Sequence, residues 1–564
     1  MSARRAVVAL SLYLVLATNW PLWFAVVRLG GPPSTYLRII AVLAALIACG
    51  MVALLAFTAW TRYMKPLWLG VTVVAALSQH YMLTYHVVMD PGMAANVFQT
   101  DVHEVADLLG WRMLISVLAV VVLPAWWLAR LRIPAMPVRR QLWRNGVLVV
   151  VALASAAALV AGFSRDLAPL MRNQPALRYM MNPLATLYSS SVAAVRPLRN
   201  TQHTLVPMSH GALLGASHAG QTRPLLYVLV VGETARSDHF ALNGYDRATN
   251  PELSRQGVVS WPDVHSCGTS TLASVPCMFS PLGKRGYEAR KNETENLLDV
   301  VQAAGMGVLW IDNQSGCKGV CERVAHASAS DGLTAQARAA LCPEGECRDD
   351  AMLQGLDQRL QALPAAQRKN GVLLVLHQMG SHGPAYSKRS SAASKRFMPE
   401  CRTEVLADCS HGELMNAYDN SIVETDAFLS HTIDWLKERS VDYDTGMLYM
   451  SDHGESLGEY GLFLHGMPYA LAPDVQKHVP MVAWWSLGLQ QRAQLSSNCL
   501  RSESEAPLTH DNLYHTTLGM LDVQSPTYQM RLDAFAGCRG DALARREGAP
   551  VAQRDVPTKL PKAG

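Results

Sequence analysis

Five mostly apolar runs, at 6–27, 39–60, 67–88, 113–129 and 147–163, crowd into the first third of the chain. Roughly 17–25 apolar residues cross a bilayer as a helix, and in lipid the backbone must satisfy its own hydrogen bonds. These runs therefore predict a five-helix membrane domain over residues 1–163. Asn19 and Pro21 interrupt the first run, and Gln79, His80 and His86 lie in the third. Polar groups are costly against lipid, so these are expected between helices. A cleavable signal peptide competes for the first run. The lack of a small-x-small cleavage site, with four more spans behind it, argues against that.

Charge orients the spans. Arg4 and Arg5 precede the first, Arg62 and Lys65 separate the second and third, and Arg130, Arg132, Arg139, Arg140 and Arg144 lie between the fourth and fifth. The loop over 90–109 instead carries Asp101, Glu104 and Asp107. By the positive-inside rule the N-terminus is cytoplasmic and everything after Phe163 lies outside, which in a Gram-negative cell means the periplasm. The net charge of +4 is then mainly a topology signal. Neither zinc-finger spacing nor a basic helix supports nucleic-acid binding.

Cysteines agree with that orientation. Of eleven, only Cys49 lies in a span, and ten follow residue 266. Sequence proximity groups them as Cys267–Cys277, Cys317–Cys321, Cys342–Cys347 and Cys401–Cys409, leaving Cys499–Cys538. An even, paired set in an exported domain reads as disulfides. Zinc ligation by Cys317 and Cys321 is the alternative, but no second pair has ribbon spacing.

Residues 164–222 are neither apolar enough to span nor patterned as a sheet. Short surface-lying helices are expected over 167–188, and a Gly-, Ser-, His- and Thr-rich linker over 200–222. From Arg223, strand-like runs at 225–231, 307–311, 371–376, 446–450 and 479–485 alternate with helical stretches such as 295–304 and 412–439. That pattern predicts an α/β domain over 223–540 on a mostly parallel sheet. Residues 541–564, charged and rich in Pro and Ala, are read as a disordered tail.

Chemistry concentrates at the ends of the strand-like runs. Glu233 follows the first, Asp452 and His453 follow the fourth, and His382 lies shortly after the third. Converging strand ends are where open α/β sheets build active sites. Between Cys267 and Cys277 stands Thr271, whose hydroxyl is a weak nucleophile unless a base or metal activates it. Zinc accepts a mix of carboxylate and imidazole and lowers the pKa of a bound hydroxyl toward neutral. Blander readings exist: Glu233 as a helix cap, Asp452-His453 as a satisfied pair in a turn, and Lys318 as a solvated loop lysine.

Six motifs in order resemble the lipid A phosphoethanolamine transferases, which include the mobile colistin-resistance enzymes, within the alkaline phosphatase superfamily. They are Gly232-Glu233-Thr234-Ala235-Arg236, Cys267-Gly268-Thr269-Ser270-Thr271, Lys318-Gly319-Val320, His377-Gln378-Met379-Gly380-Ser381-His382-Gly383-Pro384, Ser451-Asp452-His453-Gly454-Glu455-Ser456 and Leu464-His465-Gly466-Met467-Pro468. The resemblance implies an α-helical membrane domain followed by a periplasmic α/β domain of alkaline phosphatase/sulfatase-like architecture. It implies a zinc-dependent phosphoethanolamine transferase of the bacterial inner membrane, with Thr271 as nucleophile and Glu233, Thr271, Asp452 and His453 as zinc ligands. One Zn2+ is expected, with a second as an option. Lys318, His382 and His465 are implied to contact the phosphoryl group or a further zinc, with Ser315 hydrogen-bonding the same group. Asn96, Thr100 and Glu104 recur every four residues and so share a helical face. The resemblance assigns that face to the ethanolamine headgroup, and a solvated polar face is the competing reading. Phosphatidylethanolamine is the implied donor and lipid A the implied acceptor, with inner-membrane lipids around a monomer.

Rivals differ at identifiable residues. An arylsulfatase needs a Cys/Ser-x-Pro-x-Arg run, whereas Leu272-Ala273-Ser274 follow the nucleophile here. A phosphoglycerol transferase of the lipoteichoic acid type shares five spans and a threonine, but neither five disulfide pairs nor the Asn96 face. A phosphoethanolamine transferase acting on a core sugar or periplasmic glucan would carry the same donor half.

Overall fold

In the computed structural model, which describes residues 2–30, 32–59, 64–99, 105, 108–133, 136–200 and 205–540, the first apolar run is two helices. Ala3–Thr18 and Trp20–Arg28 meet at 51°. Asn19 sits at the break, where its side chain accepts from Asn182 N at 2.9 Å and donates to Asn182 O at 2.8 Å. The Asn182 amide in turn donates to Thr18 O at 3.0 Å and Ala75 O at 2.7 Å. The polar residue that interrupts the run thus marks a helix break whose carbonyls are satisfied by another segment. Pro33–Phe57, Met64–Thr84, Trp111–Arg130 and Val138–Gly162 are each long and apolar enough to cross a membrane, giving five spans when the bent pair counts as one.

Ser164–Asn173 and Ala176–Tyr179 are short helices, as expected. They place Leu167 and Leu177 within the apolar cluster of the membrane helices, so they pack onto the bundle. The segment expected as a linker is fastened down over 205–222. Leu213–Leu214 pairs antiparallel with Val523–Gln524, and Glu295 Oε2 accepts from Met208 N and Ser209 N at 2.8 and 2.9 Å. Residues 201–204 and the expected tail at 541–564 lie outside the described residues.

The α/β domain is built on eight strands: β1 (Leu225–Gly232), β2 (Val259–His265), β3 (Gly307–Asp312), β4 (Ala325–Ser328), β5 (Val372–His377), β6 (Asp444–Ser451), β7 (His478–Trp485) and β8 (Leu508–Thr509). Their order is β8-β2-β7-β6-β1-β5-β3-β4, and only β7 runs antiparallel to its neighbours. Along β1, Leu225, Tyr227, Leu229 and Val231 enter one apolar core, while Leu226, Val228 and Val230 enter another. Burial on both faces is why this strand reads as a continuous apolar run. The C-terminal ends of β1, β2, β3, β5 and β6 consequently share one edge, above which the loops carrying Glu233, Thr271, Asp452 and His453 gather.

Candidate active site

Glu233 leaves β1 with no room behind it. Its carbonyl accepts from Ser381 N at 3.0 Å, and a Cβ on Gly380 would lie 2.6 Å from that same oxygen. No helix begins at Thr234, whose φ is 60°, so Glu233 is not a helix cap. Its side chain is buried and turned to the strand-end pocket. Thr234 Oγ1 donates to Glu233 Oε1 at 2.5 Å and Thr271 Oγ1 to Glu233 Oε2 at 3.0 Å. Thr271 opens the helix Thr271–Met278. The turn before that helix is set by Ser274 Oγ, which accepts from Gly268 N at 3.0 Å.

Asp452 and His453 emerge from β6, fully buried. Gly454 follows because a Cβ there would run into the Val475 carbonyl. Asp452 Oδ1 accepts from Thr234 N at 3.2 Å and His453 N at 2.7 Å, and its Oδ2 has no hydrogen-bond partner among the described residues. His453 Nδ1 lies 2.9 Å from Gly454 O and donates to it, which leaves Nε2 as the nitrogen turned toward the carboxylates. That Nε2 faces Glu233 Oε1 at 3.3 Å and Asp452 Oδ2 at 3.4 Å without an aligned hydrogen bond to either. The His465 ring stands 4.2 Å from that of His453 and 5.5 Å from that of His382. One ligand atom each from Glu233, His453 and His465 lies within 4.8 Å of the other two. Carboxylate and imidazole atoms gathered this closely at a buried strand end suit a divalent cation, and the carboxylate–imidazole mix suits zinc. The geometric cluster includes His465, which was expected one layer out, while Asp452 joins it through His453.

Electrostatics tells the same story. Burial would raise the Glu233 carboxyl, but the adjacent His453 holds it well below its usual range. Burial and the Glu233 charge push Asp452 up. His453 is raised despite burial, because both carboxylates favour its charged form. Positive charge is favoured at this point, as a bound cation would supply.

The second layer is tied to the same edge. His377 ends β5 fully buried, with Nδ1 3.0 Å from Asp312 Oδ2. Asp312 Oδ1 accepts from Gln314 N and Gly316 N at 2.9 and 3.1 Å, and so shapes the loop to Lys318. Lys318 Nζ donates to Ser315 O at 2.9 Å and Ser315 Oγ at 2.6 Å, so it is fastened within its loop. All five cysteine pairs are bonded, including Cys317–Cys321 and Cys499–Cys538, with Cys49 the free thiol. Asn96, on the helix Pro91–Gln99 of the membrane half, accepts from Ser270 Oγ at 3.3 Å, one residue before Thr271. Thr100 and Glu104 lie outside the described residues.

Residues 226–523 match the sulfatase family, and residues 47–197 match the family described as phosphoethanolamine transferase EptA/EptB. Phosphoethanolamine transferase EptA of Escherichia coli (strain K12) is 38% identical over 479 residues, covering 84% of this chain and 86% of that relative. The chain belongs to the phosphoethanolamine transferase family. Phosphatidylethanolamine transferase Mcr-1 of Escherichia coli is 38% identical over 469 residues, covering 82% of this chain and 84% of Mcr-1. The integral membrane protein lipooligosaccharide phosphoethanolamine transferase A (EptA) from Neisseria meningitidis superposes with a TM-score of 0.87. It is 31% identical, and the match covers 94% of this chain and 98% of that structure.

Three residues of this family member carry structure that sequence reading did not assign. Glu455 Oε2 lies 3.4 Å from His465 Nδ1, with the carboxyl pushed up to about 8, chiefly by burial. His510 bridges two catalytic loops, lying 2.9 Å from Ser451 O through Nε2 while Nδ1 accepts from Cys267 N at 3.1 Å. Asp349 accepts from Asn313 Nδ2, Met379 N, Gln378 Nε2 and Gly380 N, between 2.8 and 3.1 Å. Only Glu455 left a signal, being two residues past a predicted ligand. The others act across long sequence separations.

Proposed function

We propose that this chain transfers phosphoethanolamine from phosphatidylethanolamine to a phosphate of lipid A, with Thr271 carrying the group between the two. The observation that carries this reading is the Asn96–Ser270 contact. It joins a helix of the membrane half to the residue before the nucleophile, so the reacting hydroxyl stands beside the part of the chain that meets lipid. The N-terminus is cytoplasmic in this reading, and the α/β domain stands in the periplasm on the inner membrane.

Glu233, Thr271, Asp452 and His453 would hold a zinc ion, with His465 beside them. Zinc held there would lower the pKa of the Thr271 hydroxyl toward neutral and would draw charge from the phosphoryl oxygens. Thr271 Oγ1, oriented by Glu233 Oε2, forms a bond to the donor phosphorus as the bond to diacylglycerol breaks, and diacylglycerol leaves with a proton. The helix that starts at Thr271 presents its N-terminal N–H groups to the negative charge that builds on the phosphoryl group. Lys318, His382 and His465 surround that group, and Ser315 fixes Lys318. A monoprotonated phosphate of lipid A then attacks the same phosphorus through an oxygen, the bond to Oγ1 breaks, and the proton released from that phosphate passes to Oγ1. Two transfers of one group thus use a single site. Asn96 orients the donor headgroup, with Thr100 and Glu104 assigned beside it from the four-residue spacing.

Each turnover adds an ammonium to an anionic glycolipid, which weakens its attraction for cationic peptides such as polymyxin and colistin. Mass spectrometry of lipid A from cells expressing the wild-type chain or Thr271→Ala tests the whole reading. A gain of one phosphoethanolamine unit, absent with the variant, is expected. Unmodified lipid A with the inserted wild-type protein would overturn the acceptor assignment.

A further inference from the structure

We infer that the loop closed by Cys401–Cys409 is a seat through which the catalytic domain docks on the membrane domain, and that this seating sets the rate of lipid-to-lipid transfer. The inference rests on the reading that both substrates are lipids. Two separate membrane-domain segments reach this one loop. Tyr85, just past the helix Met64–Thr84, donates through its hydroxyl to Glu404 O at 3.3 Å. Arg112, in the first turn of Trp111–Arg130, pairs with Asp408.

The loop has little slack. Its disulfide joins residues eight apart, Leu406 is buried in the domain core, and Cys401 N donates to Glu413 O at 2.9 Å. Ser410 and Glu413 form the capping box that starts the helix His411–Arg439. Further along that helix, Tyr418 OH donates to Thr234 O at 2.7 Å and accepts from Arg236 N at 3.0 Å. A rigid path therefore runs from the membrane-domain residues Tyr85 and Arg112 to the backbone beside Glu233. A second patch, Met467, Leu471 and Ala472 against Val88, Tyr179 and Met180, meets the membrane half near His465. With two seats, the reacting hydroxyl has a fixed height and tilt over the bilayer, and small misplacements of reacting groups are costly in rate.

The Arg112–Asp408 pair is half-exposed, and such pairs contribute little to folding. Reversing one charge should then leave each domain folded while pushing the seat apart. The test uses the full chain in membranes, as Arg112→Glu, Asp408→Arg and the double Arg112→Glu/Asp408→Arg. Two readouts are taken: diacylglycerol release and lipid A labelling from fluorescent phosphatidylethanolamine, and hydrolysis of the water-soluble ester p-nitrophenyl phosphoethanolamine. Each single reversal is expected to cut the lipid reactions by roughly tenfold with ester hydrolysis unchanged, and the double to restore them to within about twofold of wild type. Lipid reactions at wild-type rate in both single variants would overturn the inference. So would an equal fall in both readouts without rescue in the double. Wild-type protein that releases diacylglycerol without labelling lipid A would count against the acceptor reading alone, since diacylglycerol release still reports the dock.

Discussion

Thr271 Oγ1 donates to Glu233 Oε2 at 3.0 Å although 38 residues separate the two. The contact exists because β1 and β2 end on the same sheet edge, and because Ser381 N and Gly380 leave the Glu233 backbone a single position. The hydroxyl is thus delivered to a buried carboxylate by two strand ends and a short helix.

If Thr271 is the nucleophile, Thr271→Ala should abolish transfer while barely moving stability. Among the described residues the side chain makes one hydrogen bond, whose loss costs about 1 kcal/mol. Thr271→Ser should keep measurable transfer, since it retains the hydroxyl. Lipid A mass spectrometry and thermal melts check both. An active Thr271→Ala variant would remove this residue from the nucleophile role.

Metal removal gives an independent test. A chelator such as dipicolinate should stop both transfer and soluble-ester hydrolysis, with zinc restoring them. Glu233→Gln should lower bound zinc, because a neutral amide replaces the carboxylate that His453 faces at 3.3 Å. Elemental analysis of the purified protein reads this directly. Undiminished zinc in Glu233→Gln would exclude Glu233 as a ligand.

The legible parts of this molecule were those written in contiguous residues. β1, β3, β5, β6 and β7 are continuous or nearly continuous apolar runs, because the sheet buries both faces, and each is visible in the sequence. β2 was not, because Val259–His265 includes Ser260, Pro262 and Asp263. Pro262 is tolerated there because the pairing with β7 shifts register between Val479 and Met481, where a ladder donor is not required. The strand-end residues Glu233, Asp452 and His453 were readable from position, and His465 from resemblance to a known family. The bridging roles of His510 and Asp349 depend on contacts across 59 and 31 residues, which no local pattern encodes. The break at Asn19 was marked by its polarity, but its partner Asn182 lies 163 residues away.

That distant pair is itself testable. Asn182→Ala removes the amide that donates to Thr18 O at the helix break and to Ala75 O inside the helix Met64–Thr84. Losing two buried hydrogen bonds costs about 0.5–1.5 kcal/mol each, so the membrane domain should melt at lower temperature in detergent. Soluble-ester hydrolysis below that temperature should persist, because the α/β domain has its own cores. An unchanged melting profile would show that the Asn182 side-chain bonds to Thr18 O and Ala75 O contribute little.

His510 predicts a pH dependence with a definite sign. Its ring is wholly buried between Cys267 N and Ser451 O, and burial chiefly pushes its pKa down to about 3. In the unfolded chain it titrates near 6.5, so between about pH 6.5 and 3 the unfolded state holds the extra proton. Stability contributed by neutral His510 is therefore fully present above that window and drains away as pH falls through it, by up to about 1.4 kcal/mol per unit. His510→Gln should lower stability at pH 7.5, since the bridge between the loop before Thr271 and the end of β6 is disturbed, yet make the decline from pH 6 to 4 shallower. Denaturant melts of both proteins across that range decide the matter. Parallel slopes would place the acid sensitivity elsewhere and leave His510 a packing residue only.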